Sequence, residues 1–307
     1  MTIPKTIFLS DLTTGLRSGD IPLLDYLAQL QAQFDSYEAQ VQAFVPEAAR
    51  FARLRKEATK LLARYPQPQE RPLLFGVPIG VKDIFHVEGF TTRAGSRLDS
   101  DLIQGDESVA ITKMKEAGVL ILGKTVTTEF AYVAPGPTRT PHNLEHTPGG
   151  SSSGSAAAVA AGLSPLAFGT QTIGSINRPA AFCGVVGYKP SHDRISKAGV
   201  IPVSPAADHV GFFVPQAADA QVVAPLLCEK WQPITADHKP TLGIPDGPYL
   251  ARASQEALDH FEATCRLLDE TGFIVKRLHI MPDFDQIYER HNEIVAAEAA
   301  QTHKIWY

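Results

Sequence analysis

From His146 to Asn177 the chain runs for 32 residues without an Asp, Glu, Lys or Arg, and six Gly and six Ser stand among them. A membrane span needs about 20 mostly apolar residues. The longest apolar run here, Ala156 to Ala167, is short and is broken by Gly162, Ser164 and Pro165. An ordinary core segment would be built from Leu, Ile and Val rather than from Gly, Ala and Ser. The stretch therefore reads as buried backbone rich in small residues and hydroxyls, which is unusual for plain core.

The rest of the composition places such a segment in a globular enzyme-like chain. Of 307 residues 44% are hydrophobic and 20% charged, enough for one large core or two ordinary domains. The net charge is −5, and Lys and Arg are scattered without a basic run. Nucleic acid as a primary ligand and an anionic membrane surface are both disfavoured, because each needs concentrated positive charge. Cys183, Cys228 and Cys265 are too few and too far apart for a disulfide framework, and no CxxC pair suggests structural zinc. The N-terminus lacks the apolar run of a secretory signal, so a cytoplasmic location is expected, with no cofactor and no metal. A homo-oligomer is left open.

Residues 20–65 have a helical pattern. Asp20 is a candidate N-cap, Leu23, Leu24, Leu27 and Leu30 recur at helical spacing, and Phe44, Ala48, Phe51 and Leu54 continue it. Tyr65-Pro66-Gln67-Pro68 ends this lead-in. Strand candidates then follow at Leu73–Val81, Val119–Leu122, Leu166–Thr170, Gly184–Tyr188, Val210–Val214, Leu242–Ile244 and Phe273–Leu278. Helix candidates are Glu107–Ala117, Ser152–Ala161, Ala217–Leu227, Ser254–Glu270 and Asp283–Ala300. This alternation predicts an α/β fold with a mixed, largely parallel central sheet covered by helices. Residues 1–70 form its helical N-terminal layer and residues 71–307 its core, with a weak loop break near Glu229 to Pro240. The last helical pattern stops at Trp306 and Tyr307 without a Gly or Pro terminator, so a truncated C-terminus is expected.

Several short patterns match known motifs without the context those motifs need. Gly118 to Thr125, GVLILGKT, fits a phosphate-binding loop, but its inner residues are those of a buried strand. His142 to His146, HNLEH, fits an inverted zinc-protease pattern, yet Pro141 and Pro148 leave barely one helical turn. Gly150 to Gly154 fits a nucleophile elbow but lacks the strand that must precede one. Cys183 sits among apolar neighbours with no adjoining base, as a small core residue does.

Three segments remain: GVPIGVKDIF from Gly76 to Phe85, GGSSSGSAAAVAAG from Gly149 to Gly162, and GTQTIGSINRPAAFCGVVGYKP from Gly169 to Pro190. In this combination and order the chain resembles the amidase-signature enzymes, from about Leu73 to at least Val214. The resemblance implies a Ser–cis-Ser–Lys triad that hydrolyses a carboxamide C–N bond through an acyl-enzyme. Residue by residue, the lysine falls on Lys82, the bridging, cis-linked serine on Ser151 and the nucleophile on Ser175. Backbone N–H groups of Thr172, Ile173, Gly174 and Ser175 would form the oxyanion hole. The implied substrate is a small-molecule amide, with the loop Ala131 to Thr140 as one wall of its pocket.

Elementary chemistry supports the same residues. A serine hydroxyl is a poor nucleophile and needs a base within hydrogen-bond reach. Lysine serves as a base only when neutral, and Val81, Ile84 and Phe85 around Lys82 would disfavour its ammonium form. Ser152 is a candidate to cap the Ala-rich helix or to bond Lys82, and so to belong to the substrate side of the site. Asp83 is read as a holder of local backbone, with tuning of Lys82 as the alternative.

The loop departs from the common family form D-[IT]-G-G-S-[IV]-R: this chain reads Gln171-Thr172-Ile173-Gly174-Ser175-Ile176-Asn177-Arg178. A carboxylate is missing at Gln171, and Arg178 offers its charge one residue late. Family members usually continue with further strands and helices. Two alternatives to an amidase therefore stand: the amidating A subunit of a tRNA-dependent amidotransferase, and an inactive fragment of an amidase.

Overall fold

The computed structural model describes residues 8–235 and 237–306. These fall into two compact units, one reaching Trp231 and including the residues from Ala299 on, the other Gln232–Glu298.

In the first unit the chain opens with α1 (Leu9–Ser18), α2 (Leu23–Val41) and α3 (Arg50–Arg64). Leu9, Leu12 and Leu16 turn inward on α1, as do Leu23, Tyr26, Leu27 and Leu30 on α2. Asp20 is not a cap. Gly19 ends α1 in the left-handed region at φ 90, and Asp20 accepts a hydrogen bond from Ser18 Oγ within the turn (2.8 Å). A residue before proline is pushed out of helical geometry, so Ile21 cannot be helical and α2 starts behind Pro22.

The helical pattern expected to run to residue 65 is also interrupted. The Glu38 carboxylate accepts the N–H groups of Ala43 (3.2 Å) and Phe44 (2.7 Å), and Phe44 bridges to Thr125 of the sheet. Proline at 46 and a left-handed Ala49 (φ 57) separate this segment from α3.

The sheet consists of β1 (Pro78–Lys82), β2 (Leu120–Thr125), β3 (Leu166–Gln171), β4 (Val186–Tyr188) and β5 (His209–Val214), in the order β2-β1-β3-β5-β4. Strand β1 pairs in parallel with both β2 and β3, whereas β5 runs antiparallel to β3 and to β4. The sheet is thus mixed with a parallel centre, as the sequence predicts. Strand β1 begins later than expected because Leu73 to Gly76 form a turn in which Gly76 takes φ 73.

Helices α4 (Val109–Glu116), α5 (Ser153–Ala160), α6 (Asn177–Cys183) and α7 (Ala217–Leu227) complete the unit. Helix α6 was not expected, since Pro179 and flanking glycines hide seven residues of helix. Its C-cap, Gly184, takes φ 64, so β4 starts two residues beyond its expected beginning.

Helix α5 explains the uncharged stretch. Every residue of α5 is buried, and it lies so close to the sheet that its hydroxyls bond strand backbone. Ser155 Oγ donates to Phe168 O (2.7 Å), Ser153 Oγ to Val126 O (3.3 Å), and Gly154 N to Val126 O (2.9 Å). Ser164 Oγ accepts from Gly80 N at 3.0 Å. Leucine or isoleucine at these positions would hold the helix off the sheet and leave those carbonyls unpaired.

The second unit contains a parallel pair, β6 (Thr241–Asp246) and β7 (Ile274–His279), joined through α8 (Gln255–Glu270), and most of α9 (Phe284–His303). Ser254 caps α8, its hydroxyl accepting from Ala257 N. No helix among the described residues is long and apolar enough to cross a membrane.

Candidate active site

Parallel strands deliver their carboxyl ends to one edge of a sheet, where α/β proteins place their chemistry. Lys82 ends β1 and Thr170 lies one residue from the end of β3. Lys82 is fully buried, and its Nζ donates to Ser151 Oγ at 2.7 Å and to Thr170 Oγ1 at 2.9 Å. Burial lowers the Lys82 pKa from 10.5 to about 7, with the negative charge of Asp208 acting in the opposite direction. A substantial neutral fraction at neutral pH follows, which is the form a base requires.

Ser151 is held by the segment entering α5. The Gly150–Ser151 peptide is cis, as the resemblance implies, and Gly149 before it takes φ 75. Arg178 Nε (2.9 Å) and Nη2 (2.7 Å) both donate to the carbonyl of Gly150. The late arginine of the sequence therefore reaches the backbone that presents Ser151.

Ser175 is buried in the loop between β3 and α6, and its carbonyl accepts from Ser152 N at 3.3 Å. Its Oγ makes no hydrogen bond among the described residues, so the structure joins Lys82 to Ser151 but does not extend that chain to Ser175. The backbone N–H groups of Thr172, Ile173, Gly174 and Ser175 likewise carry no hydrogen bond among the described residues. Ile173 is 53% exposed.

Ser152 departs from expectation. It stands at the N-cap position of α5, but its side chain neither caps the helix nor bonds Lys82. Its Oγ donates to Thr170 O (3.1 Å) and accepts from Thr170 N (3.3 Å), pinning the strand that carries Thr170. The tight approach of α5 to β3 turns this hydroxyl to the strand: a Cβ added to Gly169 would lie 2.7 Å from Ser152 Oγ.

Gln171 fills the place of the missing carboxylate. Its Oε1 accepts from Ile176 N and Asn177 N, both at 2.8 Å, so a neutral amide caps the first turn of α6. Gln171→Ala is expected to cost about 1–2 kcal/mol through these two N–H groups. A urea midpoint unchanged from the parent would show that the amide oxygen does not hold the helix.

Asp83 does not serve Lys82. Its carboxylate lies 2.9 Å from Lys124 Nζ and accepts from Arg93 N, while Lys124 Nζ donates to Phe85 O and Thr92 Oγ1. The GKT triplet thus belongs to buried strand β2 and not to a phosphate loop. HNLEH forms a turn in which His142 Nε2 meets Cys183 O at 2.8 Å. Burial pushes the Cys183 thiol up to about 12, leaving no thiolate at neutral pH. No cluster of three His, Cys, Asp or Glu side chains that could hold a metal occurs among the described residues. From the loop expected to wall the pocket, Tyr132, Val133 and Ala134 line a cavity of about 540 Å³ with Phe130 and Val203.

Two residues of the centre were missed from sequence, Thr170 and Asp208. Thr170 lies inside one of the three matching segments, and a hydroxyl in a buried strand was the available signal. Asp208 stands in a loop outside them and carried no local signal.

The chain belongs to the amidase family, whose model matches residues 25–305. The A subunit of glutamyl-tRNA(Gln) amidotransferase from Roseiflexus sp. (strain RS-1) is 36% identical over 229 residues, covering 73% of this chain and 46% of that protein. The chain thus spans less than half the length of this relative. A solved amidase superposes with a TM-score of 0.86 at 30% identity, over 98% of this chain and 69% of the other. The solved A subunit of the Thermotoga maritima glutamyl-tRNA(Gln) amidotransferase gives 0.73 at 26% identity, over 90% and 62%.

Proposed function

We propose that this chain carries the catalytic centre of an amidase that hydrolyses the C–N bond of a small carboxamide. The observation that carries the reading is a fully buried lysine, its pKa lowered by burial to about 7, hydrogen-bonded to a serine at the sheet's carboxyl edge. Neutral Lys82 takes a proton through Ser151 as the Ser175 hydroxyl attacks the amide carbonyl. The oxygen that becomes negative is received by the N–H groups of the 172–175 loop. The proton then returns through Ser151 to the leaving nitrogen, the C–N bond breaks, and water releases the acid from the acyl-enzyme.

A fluorophosphonate tests the reading without knowledge of the natural amide. It is expected to label Ser175, at a rate that rises with pH through about 7 as Lys82 loses its proton. Peptide mapping should locate the adduct, and Ser175→Ala should abolish it. Labelling elsewhere, or a rate flat between pH 6 and 8, counts against Lys82 as base. No labelling at any pH favours the inactive-fragment reading.

The Roseiflexus relative supports a second reading, the A subunit of a tRNA-dependent amidotransferase. Glutaminase activity that appears only with a companion subunit would establish it. Activity on a simple amide by the chain alone supports the amidase.

A further inference from the structure

Asp208 is a buried carboxylate that the reaction above leaves unused. It directly precedes β5, beside the end of β3, where Gln171 pairs with His209. Its Oδ2 accepts from Val203 N (2.8 Å) and Ser204 N (3.0 Å), which fixes the carboxylate to the loop before β5. Its Oδ1 accepts from Thr172 Oγ1, at the head of the loop whose N–H groups are free. Asp208 also shares a cavity of about 370 Å³ with Thr170, the second partner of Lys82.

We infer that Asp208 is a positioning residue of this centre, fastening the 172–175 loop through Thr172 and directing a fixed negative charge at Lys82. The inference rests on the reading of Lys82 as base and Ser175 as nucleophile. The other groups around these two do not supply the same charge. Ser151 and Thr170 present hydroxyls to Lys82, the Asp83 carboxylate is engaged by Lys124, and Arg178 is held on Gly150 O. The charged or titratable groups that line the same cavity are Lys197, paired with Asp193, and His209, bonded to Ala207 O.

The two roles separate experimentally. A fixed anion favours the ammonium form of Lys82, in the direction seen for its pKa, so removing the charge makes the lysine a base at lower pH. In Asp208→Asn the midpoint of the fluorophosphonate rate against pH is expected to fall by roughly one pH unit. Thr172→Val keeps the charge and loses the fastening. Its rate is expected to fall on the order of tenfold, the scale of one hydrogen bond to a charged group, with the midpoint unmoved. Thr172→Ser should restore it.

A purely structural Asp208 would change melting temperature but not that midpoint. A folded Asp208→Asn with the parent's midpoint overturns the inference, as does Thr172→Val labelled at the parent's rate. If Asp208→Asn does not fold, the Thr172 pair alone decides. Failure of the parent chain to label at Ser175 removes the underlying reading instead, so the two failures are distinct.

Discussion

Lys82→Met is expected to reduce labelling of Ser175 by roughly 10⁴-fold or more, the scale seen when one member of a serine–base unit is removed. Methionine matches the length and the apolar stem of lysine at a fully buried position, so the fold should persist. What disappears is the only group, among the described residues, that is bonded to Ser151 Oγ and can take up a proton at neutral pH. Stability provides the control, and its sign can be worked out. The folded pKa of Lys82 is about 7 and that of an unfolded lysine about 10.5. Between those values the unfolded chain holds a proton that the folded chain has released, so the parent gains stability as pH rises through this window. Methionine has no proton to lose. Relative to the parent, Lys82→Met should therefore become more stable as pH falls from 10 to 7, by about 1.4 kcal/mol per pH unit. Parallel urea midpoints for the two proteins across that range would show that Lys82 is not buried neutral. A labelling rate within tenfold of the parent would remove it as the base.

How far the fold can be read from sequence depended on which interactions set each boundary. Helix α7 and strands β3 and β5 are legible in the sequence to within a residue, because their limits follow an apolar run and a local break. The passage between α2 and α3 was not legible. Its turns are made by Gln42 and Ala49 in the left-handed region, where no glycine announces the turn, and by a Glu38 carboxylate holding backbone N–H groups five and six residues on. The centre shows the same division. Lys82, Ser151 and Ser175 stand in segments whose composition is odd for plain core, and the resemblance named each one. Ser152 has the sequence of a helix cap but is drawn to Thr170 by the closeness of α5 to β3, a distance that only packing sets. Asp208 meets Thr172 through the antiparallel pairing of β5 with β3, a long-range contact without a local pattern.

That closeness can be tested at one atom. Gly154→Ala is expected to destabilise the protein by roughly 3 kcal/mol or more, at or beyond the upper end of the ordinary cost of overpacking. Helix propensity alone argues the other way, since alanine in place of glycine favours a helix by about 1 kcal/mol. The geometry decides which effect wins. A Cβ at Gly154 would lie 2.2 Å from Ala43 O, 2.4 Å from Val126 N and 2.9 Å from Val126 O. All three are backbone atoms, and Val126 O already accepts from Gly154 N, so no side chain can swing away to make room. Relief requires α5 to lift from the end of β2, and Ser151 and Ser152 directly precede that helix. Loss of stability and loss of Ser175 labelling should then appear together. Gly174 supplies the contrast from the same uncharged stretch. A Cβ there meets nothing nearer than Arg178 Cβ at 3.8 Å, so Gly174→Ala should change stability by no more than about 0.5 kcal/mol. Equal urea midpoints for the two variants would mean that α5 does not lie as close to the sheet as its serines and glycines require.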